Sequence, residues 1–235
     1  MSNEKKIATS NGVYEKLKEQ ILHLELIPGS IISEIETANK YNVSRTPVRD
    51  AFKMLEREGL LEVKPHIGTF VSLINLGTIS DILYMRQVLE FAVLKDLSLS
   101  FDRSQEYKIR LALKNQKDLI DSSLSENELG RMFIKYDNEF HDILFDIAGK
   151  KNVNLYLRTI NSQYERFRTF LNFGDKKNLI ELYEEHEKIF EAIISKDLTS
   201  LESIVSHHIY NGFNSNADIV LTYTDYFKVP DDSNS

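Results

Sequence analysis

A change of rhythm near residue 76 governs what this 235-residue chain can become. Before it, short apolar patterns are divided by turn signals; after it, every apolar pattern is long and helical. Val13, Leu17, Ile21 and Leu24 recur at spacings of three and four, which puts one apolar stripe on a helix. Pro28-Gly29 ends that pattern with a turn. Ser33 with Glu36 has the spacing of a capping box and starts a second, short helix that ends near Tyr41-Asn42. Ser44 stands where it can cap a third helix that runs to about Glu58 and stops at Gly59. Pro47 falls in the first turn of that helix, where a missing N–H costs nothing. Residues 61–64 and 69–72 read as two strands around Pro65-His66-Ile67-Gly68, a β-hairpin. Three short helices and a hairpin in so short a stretch predict a winged helix-turn-helix over residues 8–75.

From Thr78 onward the patterns predict helices at roughly 78–99, 103–121, 125–148, 153–173, 177–195 and 197–222. Ser125 with Glu128 has capping-box spacing, and Asp197 can cap the last helix. The fold class expected is therefore mainly α: the winged helix-turn-helix, then an antiparallel bundle of about six helices over residues 78–225. The tail from Lys228 is polar and expected to fray. No signal-peptide core and no run of 18 apolar residues occurs, so the simplest expectation is a cytoplasmic protein without membrane contact.

The net charge of −7 is at odds with a nucleic-acid partner until it is divided along the chain. Residues 1–75 carry ten Lys/Arg against ten Asp/Glu, while residues 76–235 carry nineteen against twenty-six. The acidic excess lies wholly in the second part, and the first is free to present a basic face. That face is on the third helix. Arg45, Arg49 and Lys53 recur every four residues on one side, with Thr46 beside them, and Val48, Ala51, Phe52 and Leu55 form the opposite stripe. An apolar stripe inward and cations outward suit a major groove, where Arg can bond guanine O6 and N7 together. An ordinary solvated face is the alternative for these cations. His66 at the hairpin tip can enter a minor groove, with Gly68 permitting close backbone approach.

The chain has no Cys, so any metal must be held by His, carboxylate or backbone. Asp137 and His141 are four apart on a helical segment and share a face. His186 and His208 lie on later helices, where inward imidazoles can meet that pair. Three imidazoles and a carboxylate suit Zn²⁺, Ni²⁺, Mn²⁺ or Fe²⁺. By spacing alone, buried histidines with ordinary hydrogen bonds remain an alternative.

The stretch Val43-Ser44-Arg45-Thr46-Pro47-Val48-Arg49-Asp50-Ala51, preceded by Pro28-Gly29 and followed by Leu55-Glu56-Arg57-Glu58-Gly59-Leu60 and Gly68-Thr69-Phe70-Val71, resembles the GntR family of transcription regulators. The resemblance implies that Ser44, Arg45, Thr46 and Arg49 touch DNA, helped by His66 and Gly68 in the wing. Ile35 departs from the pattern, standing where many relatives have a DNA-contacting arginine. Residues from about 78 to 220 resemble the helical FCD sensor domain of the FadR branch. Asp137-Asn138-Glu139-Phe140-His141, Glu185-His186 with Ala192-Ile193 and Lys196-Asp197, and His208-Ile209 carry that likeness. It implies one divalent ion on Asp137, His141, His186 and His208 (rather than His207). It also implies a small carboxylate effector completing the coordination and pairing with Arg86. A salt bridge from Arg86 to Glu90 is the plainer alternative. Gly149-Lys150 departs from the Gly-Asn of many relatives, which removes one ligand contact.

The function expected is a homodimeric regulator, a repressor by default, that reads a pseudo-palindromic double-stranded operator and answers to a small organic acid. Two other classes stay in view. A metal-dependent hydrolase could use an open metal position, although no Glu-x-x-His pair, phosphate loop or nucleophile elbow accompanies the histidines, so no enzyme is expected. A helical scaffold with a purely structural metal is the other.

Overall fold

The computed structural model describes residues 9–172 and 175–229. The first residue of the expected N-terminal domain and residues 230–235 of the polar tail lie outside them. The chain divides into two compact units. One takes residues up to Gly77 together with Ser162–Phe167 and the stretch from Asp218; the other takes Thr78–Asn161 and Arg168–Ala217.

In the first unit, helix α1 (Ser10–Leu22) opens on Thr9, whose hydroxyl accepts the Gly12 N–H. It stops earlier than the stripe suggested, because the chain leaves the helix at His23 and Leu24 turns left-handed at φ 57°. Strand β1 (Ile31–Ile32) follows, then α2 (Glu34–Tyr41), where the Ser33 hydroxyl accepts the Glu36 N–H at 3.4 Å. Asn42 ends α2 in the left-handed region, a conformation Asn tolerates better than most residues. Helix α3 (Arg45–Arg57) has Ser44 at its cap position, but no side-chain bond comes from it. Strands β2 (Leu61–Lys64) and β3 (Gly68–Val71) form the expected hairpin, only the second strand lying one residue early, and β1 pairs on the far side of β3, Ile31 opposite Phe70. Val13, Leu17, Ile21, Val48, Phe52, Leu55 and Leu60 meet in one core. This is why the apolar stripes of α1 and α3 face each other and the cations of α3 face out.

The first unit also holds a pairing that sequence patterns did not reveal. Strand β4 (Ile74–Asn75) runs parallel to β5 (Phe227–Lys228), with Ile74 opposite Phe227. Beside it Arg166 is fully buried, donating to the Ser72 carbonyl at 2.5 Å and the Ser72 hydroxyl at 3.0 Å. Burial pushes its guanidinium down to about 10. Arg166→Ala should lower stability by about 2–4 kcal/mol, since it takes the donor from a part-buried carbonyl and leaves a void where the buried side chain stood. A denaturant midpoint equal to wild type would show that this bond contributes nothing.

The second unit is helical. Helices α4 (Leu76–Ser100, its first two residues in the first unit), α5 (Arg103–Ile120), α6 (Glu126–Ile147), α7 (Lys151–Thr159), α8 (Ser162–Asn172, shared as above), α9 (Lys176–Ser195) and α10 (Leu198–Ser215) follow in order; α11 (Ala217–Thr222) comes after them and, beyond Ala217, belongs to the first unit. Two expected helices are each broken. Residues 153–173 divide at Ile160-Asn161, where the β-branched Thr159 and Ile160 and then Asn161 weaken the helix, and 197–222 divides at Asn216. Asp197 does cap α10, accepting the Ser200 N–H. Ser125 instead gives its hydroxyl to the Glu128 carboxylate, while the complete capping box is Asp102 with Gln105 at the start of α5. Phe133, Phe140, Leu144, Ile189, Ile193 and Val205 are buried, so the inner faces of α6, α9 and α10 carry the core.

Candidate functional site

Three imidazoles meet inside the second unit, each delivered by a different helix. Asp137 and His141 project from one face of α6, His186 comes from α9 and His208 from α10, all four buried. One nitrogen from each histidine lies within 4.8 Å of the others. Nε2 of His208 is 3.3 Å from Nε2 of His141. Two nitrogens on one ion at about 2.0–2.1 Å stand about 3.0–3.4 Å apart, so this spacing suits a shared metal.

The outward nitrogens explain why the inward ones converge. Nδ1 of His141 is 3.0 Å from Glu90 of α4, Nδ1 of His186 is 2.9 Å from Gln116 of α5, and Nδ1 of His208 is 2.8 Å from Glu185 of α9. Gln116 donates its amide to the Tyr136 carbonyl, which turns its oxygen toward His186 and makes Nδ1 the protonated nitrogen. Nε2 of His186 is then a lone pair, fully buried and without a hydrogen bond among the described residues, 3.4 Å from Oδ1 of Asp137. A buried acceptor with nothing to accept costs stability unless a ligand uses it. This donor set fits a divalent ion: His186 and His208 each have a hydrogen-bonded partner behind Nδ1, Nδ1 of His141 lies near Glu90 without a hydrogen bond among the described residues, and one nitrogen of each ring converges in front.

Asp137 differs from the expectation in one respect. Its Oδ2 is bound by Arg168 of α8, and Oδ1 alone faces His186. Burial by itself would raise the Asp137 carboxyl, but Arg168 and then His141 hold it well below the usual range. Glu90 is likewise pushed up by burial and carried well below its usual range by Arg86 and His141. His186 is pushed far down, by burial first and then by neighbouring His208, and stays neutral. His207 is exposed, its Nε2 3.3 Å from Glu185.

Arg86 makes the plainer of its two expected contacts, donating to Glu90 at 2.7 Å. It also lines a small cavity beside His141, whose wall includes Glu90, Asn138, Asp142, Asn154 and Arg158. Gln116 and Arg168 escaped the motif reading, while Glu90 and Glu185 were named in it without a role toward the histidines. Gln116 had a signal, since it interrupts the apolar stripe of Ile109, Ala112, Leu113 and Leu119.

On the first unit, Ser44, Arg45, Thr46 and Arg49 are exposed at the start of α3, with His66 exposed at the hairpin tip and Gly68 half-buried below it. His66 takes φ 63° and Gly68 φ 151°, so the tip bends through two left-handed residues. The cations are not bare: Oε2 of Glu34 lies 3.4 Å from Nη2 of Arg45 and 3.5 Å from Nε of Arg49. Ile35, next to Glu34, is exposed and offers no polar group. An acid between two half-exposed arginines orients them and gives way easily, because solvent screens the pairs.

A three-helix core with a two-stranded wing and outward cations on its third helix, joined to a helical histidine-bearing unit, defines a DNA-binding transcription regulator with a sensor-type domain. The chain belongs to the GntR family: the description "Bacterial regulatory proteins, gntR family" matches residues 9–71, and that of the FCD domain matches residues 81–211. It is 31% identical to an HTH-type transcriptional regulator in an unstable DNA locus of Streptomyces ambofaciens, covering 84% of this chain and 80% of the relative. It is 27% identical to the HTH-type transcriptional repressor RspR of Escherichia coli, covering 92% of each. In structure it is similar to E. coli McbR/YncC, with a TM-score of 0.66, 17% identity, and 92% and 98% of the two chains covered, a likeness of fold. The protein is a regulator and not an enzyme. Among the described residues no helix is long and apolar enough to cross a membrane.

Proposed function

We propose that the protein is a homodimeric, cytoplasmic repressor that reads a pseudo-palindromic operator through residues 8–75 and senses a small organic acid at a divalent ion through residues 78–225. Ser44, Arg45, Thr46 and Arg49 contact the operator from α3, with His66 and Gly68 on the wing. His141, His186 and His208 hold the ion (Zn²⁺, Ni²⁺, Mn²⁺ or Fe²⁺), with Oδ1 of Asp137 as a fourth donor. When bound, the ion supplies positive charge and an open coordination position for a carboxylate. The observation that carries the sensing half is the orphaned Nε2 of His186 aimed at the other two imidazoles. The likeness to a repressor supports the sign of regulation.

Charge decides how acid and ion depend on each other. Arg86 faces Glu90, Arg158 faces Asp142 and Arg168 faces Asp137, so each guanidinium around the site already has its carboxylate. An acid entering without the ion brings an unmatched negative charge into a buried place, which is costly. Its affinity should therefore fall more than about tenfold when the ion is removed. Calorimetry with a panel of organic acids, on metal-loaded and chelated protein, followed by gel shifts on an operator selected from random duplex, tests both halves. Equal heats in both forms would reject the metal-linked effector; no site preferred over random duplex would reject the operator reading.

A further inference from the structure

We infer that helix α7 is a lid over the effector cavity, held shut by a polar latch on Asp142. The inference rests on the proposed sensing of an acid at the histidine cluster and concerns how that site is reached.

The cavity beside His141 has a volume of about 30 Å³, room for roughly two waters. A carboxylate with one carbon attached has four heavy atoms and needs more room than that at the inner end of the pocket, which is partly open to solvent. The walls around it are not equally fixed. Helix α6 buries Phe133, Phe140, Leu144 and Phe145, and α4 buries Ile82, Leu83, Val93 and Leu94. None of the nine residues of α7 is buried. A helix that puts no side chain into the core can leave without opening a void.

Polar contacts hold it instead. Nδ2 of Asn154 and Nη2 of Arg158, one turn apart on α7, both donate to the Asp142 carboxylate at 2.5 Å. Arg158 adds a 3.5 Å contact to the Asn138 carbonyl. Asp142 and Arg158 are each about 40% exposed, so solvent screens the pair and the latch opens at little cost. Both ends can pivot. Gly149 sits at φ 69° with open space around it on the entering side, and Ile160-Asn161 breaks the helix on the leaving side. Leu157, on the same helix, lines the cavity and closes it when the latch is made. Asp142 follows the ligand His141 in sequence, so the latch is anchored next to the site it guards.

Two measurements on the full-length protein separate the lid from the sensing reading. Hydrogen exchange of metal-free protein should show the α7 amides of Asp142→Ala exchanging roughly tenfold faster than wild type, with α6 and α9 unchanged. The double variant Asn154→Ala/Arg158→Ala, which leaves α6 intact, should do the same. Unchanged α7 exchange in both, or protection lost equally across the bundle, overturns the lid. With Co²⁺ as the probe, chelator should strip the ion roughly tenfold faster from Asp142→Ala at an unchanged dissociation constant. A faster α7 with an unchanged Co²⁺ rate overturns its role as a gate. If wild-type protein takes up no Co²⁺, the metal reading fails, while the exchange measurement still decides whether α7 lifts.

Discussion

Replacing His186 by alanine should abolish tight binding of divalent metal while the helices stay folded. Of the three imidazoles it is the one with no exposure at all, and its hydrogen bond through Nδ1 to Gln116 fixes its tautomer. Alanine removes one of three converging nitrogens and leaves the amide oxygen of Gln116 facing a void. Outer-shell partners alone are worth roughly 10–100-fold in affinity, so a lost ligand should exceed about 100-fold. Elemental analysis of purified protein, with circular dichroism as the control for folding, reads this directly. One equivalent of metal retained at wild-type affinity would remove His186 from the ligand set. The same variant should lose its response to acids in gel shifts, because the charge that admits them is gone.

Arg49→Ala should erase the distinction between operator and random duplex with no cost to the fold. Its side chain is 54% exposed, and the contact to Glu34 at 3.5 Å is a screened surface pair. The apolar core of the first unit is built without it. A bidentate arginine–guanine contact contributes about 1–3 kcal/mol of discrimination, so specific affinity should fall roughly 5- to 150-fold. Binding to non-specific duplex should fall far less. If specific and non-specific affinity drop together and the salt slope decreases by about one, Arg49 grips phosphate and does not read bases.

Much of the local architecture was legible because it follows from spacing. The inward stripe of Val48, Ala51, Phe52 and Leu55 on α3 set the outward place of Arg45 and Arg49, and both came out exposed. The four-residue step from Asp137 to His141 put both on one face of α6 in the same way. Helix breaks were harder. Residues 153–173 keep an apolar rhythm across Ile160-Asn161, and rhythm does not register a local loss of helix propensity. The β4–β5 pair was invisible for another reason: two-residue strands carry no period, and their partners are about 150 residues apart.

The site shows the same division. His141, His186 and His208 were recognisable as candidates, but which atoms meet is settled by packing. Arg86 and Glu90 interrupt the stripe of Ile79, Leu83, Val93 and Leu97, and charged residues on such a stripe announce a buried pair without naming its third member, His141. Arg168 reaches Asp137 from 31 residues away.

By itself the sequence determined most of the helices and the hairpin, the family, and the faces on which cations and histidines lie, because helical periodicity and capping act over a few residues. Only the tertiary structure decided that Gln116, Glu90 and Glu185 turn three imidazoles inward, that Arg168 takes one oxygen of Asp137, and that α7 rests on the bundle without entering its core. Those outcomes depend on contacts between helices distant in sequence, where close packing selects one arrangement that no local pattern encodes.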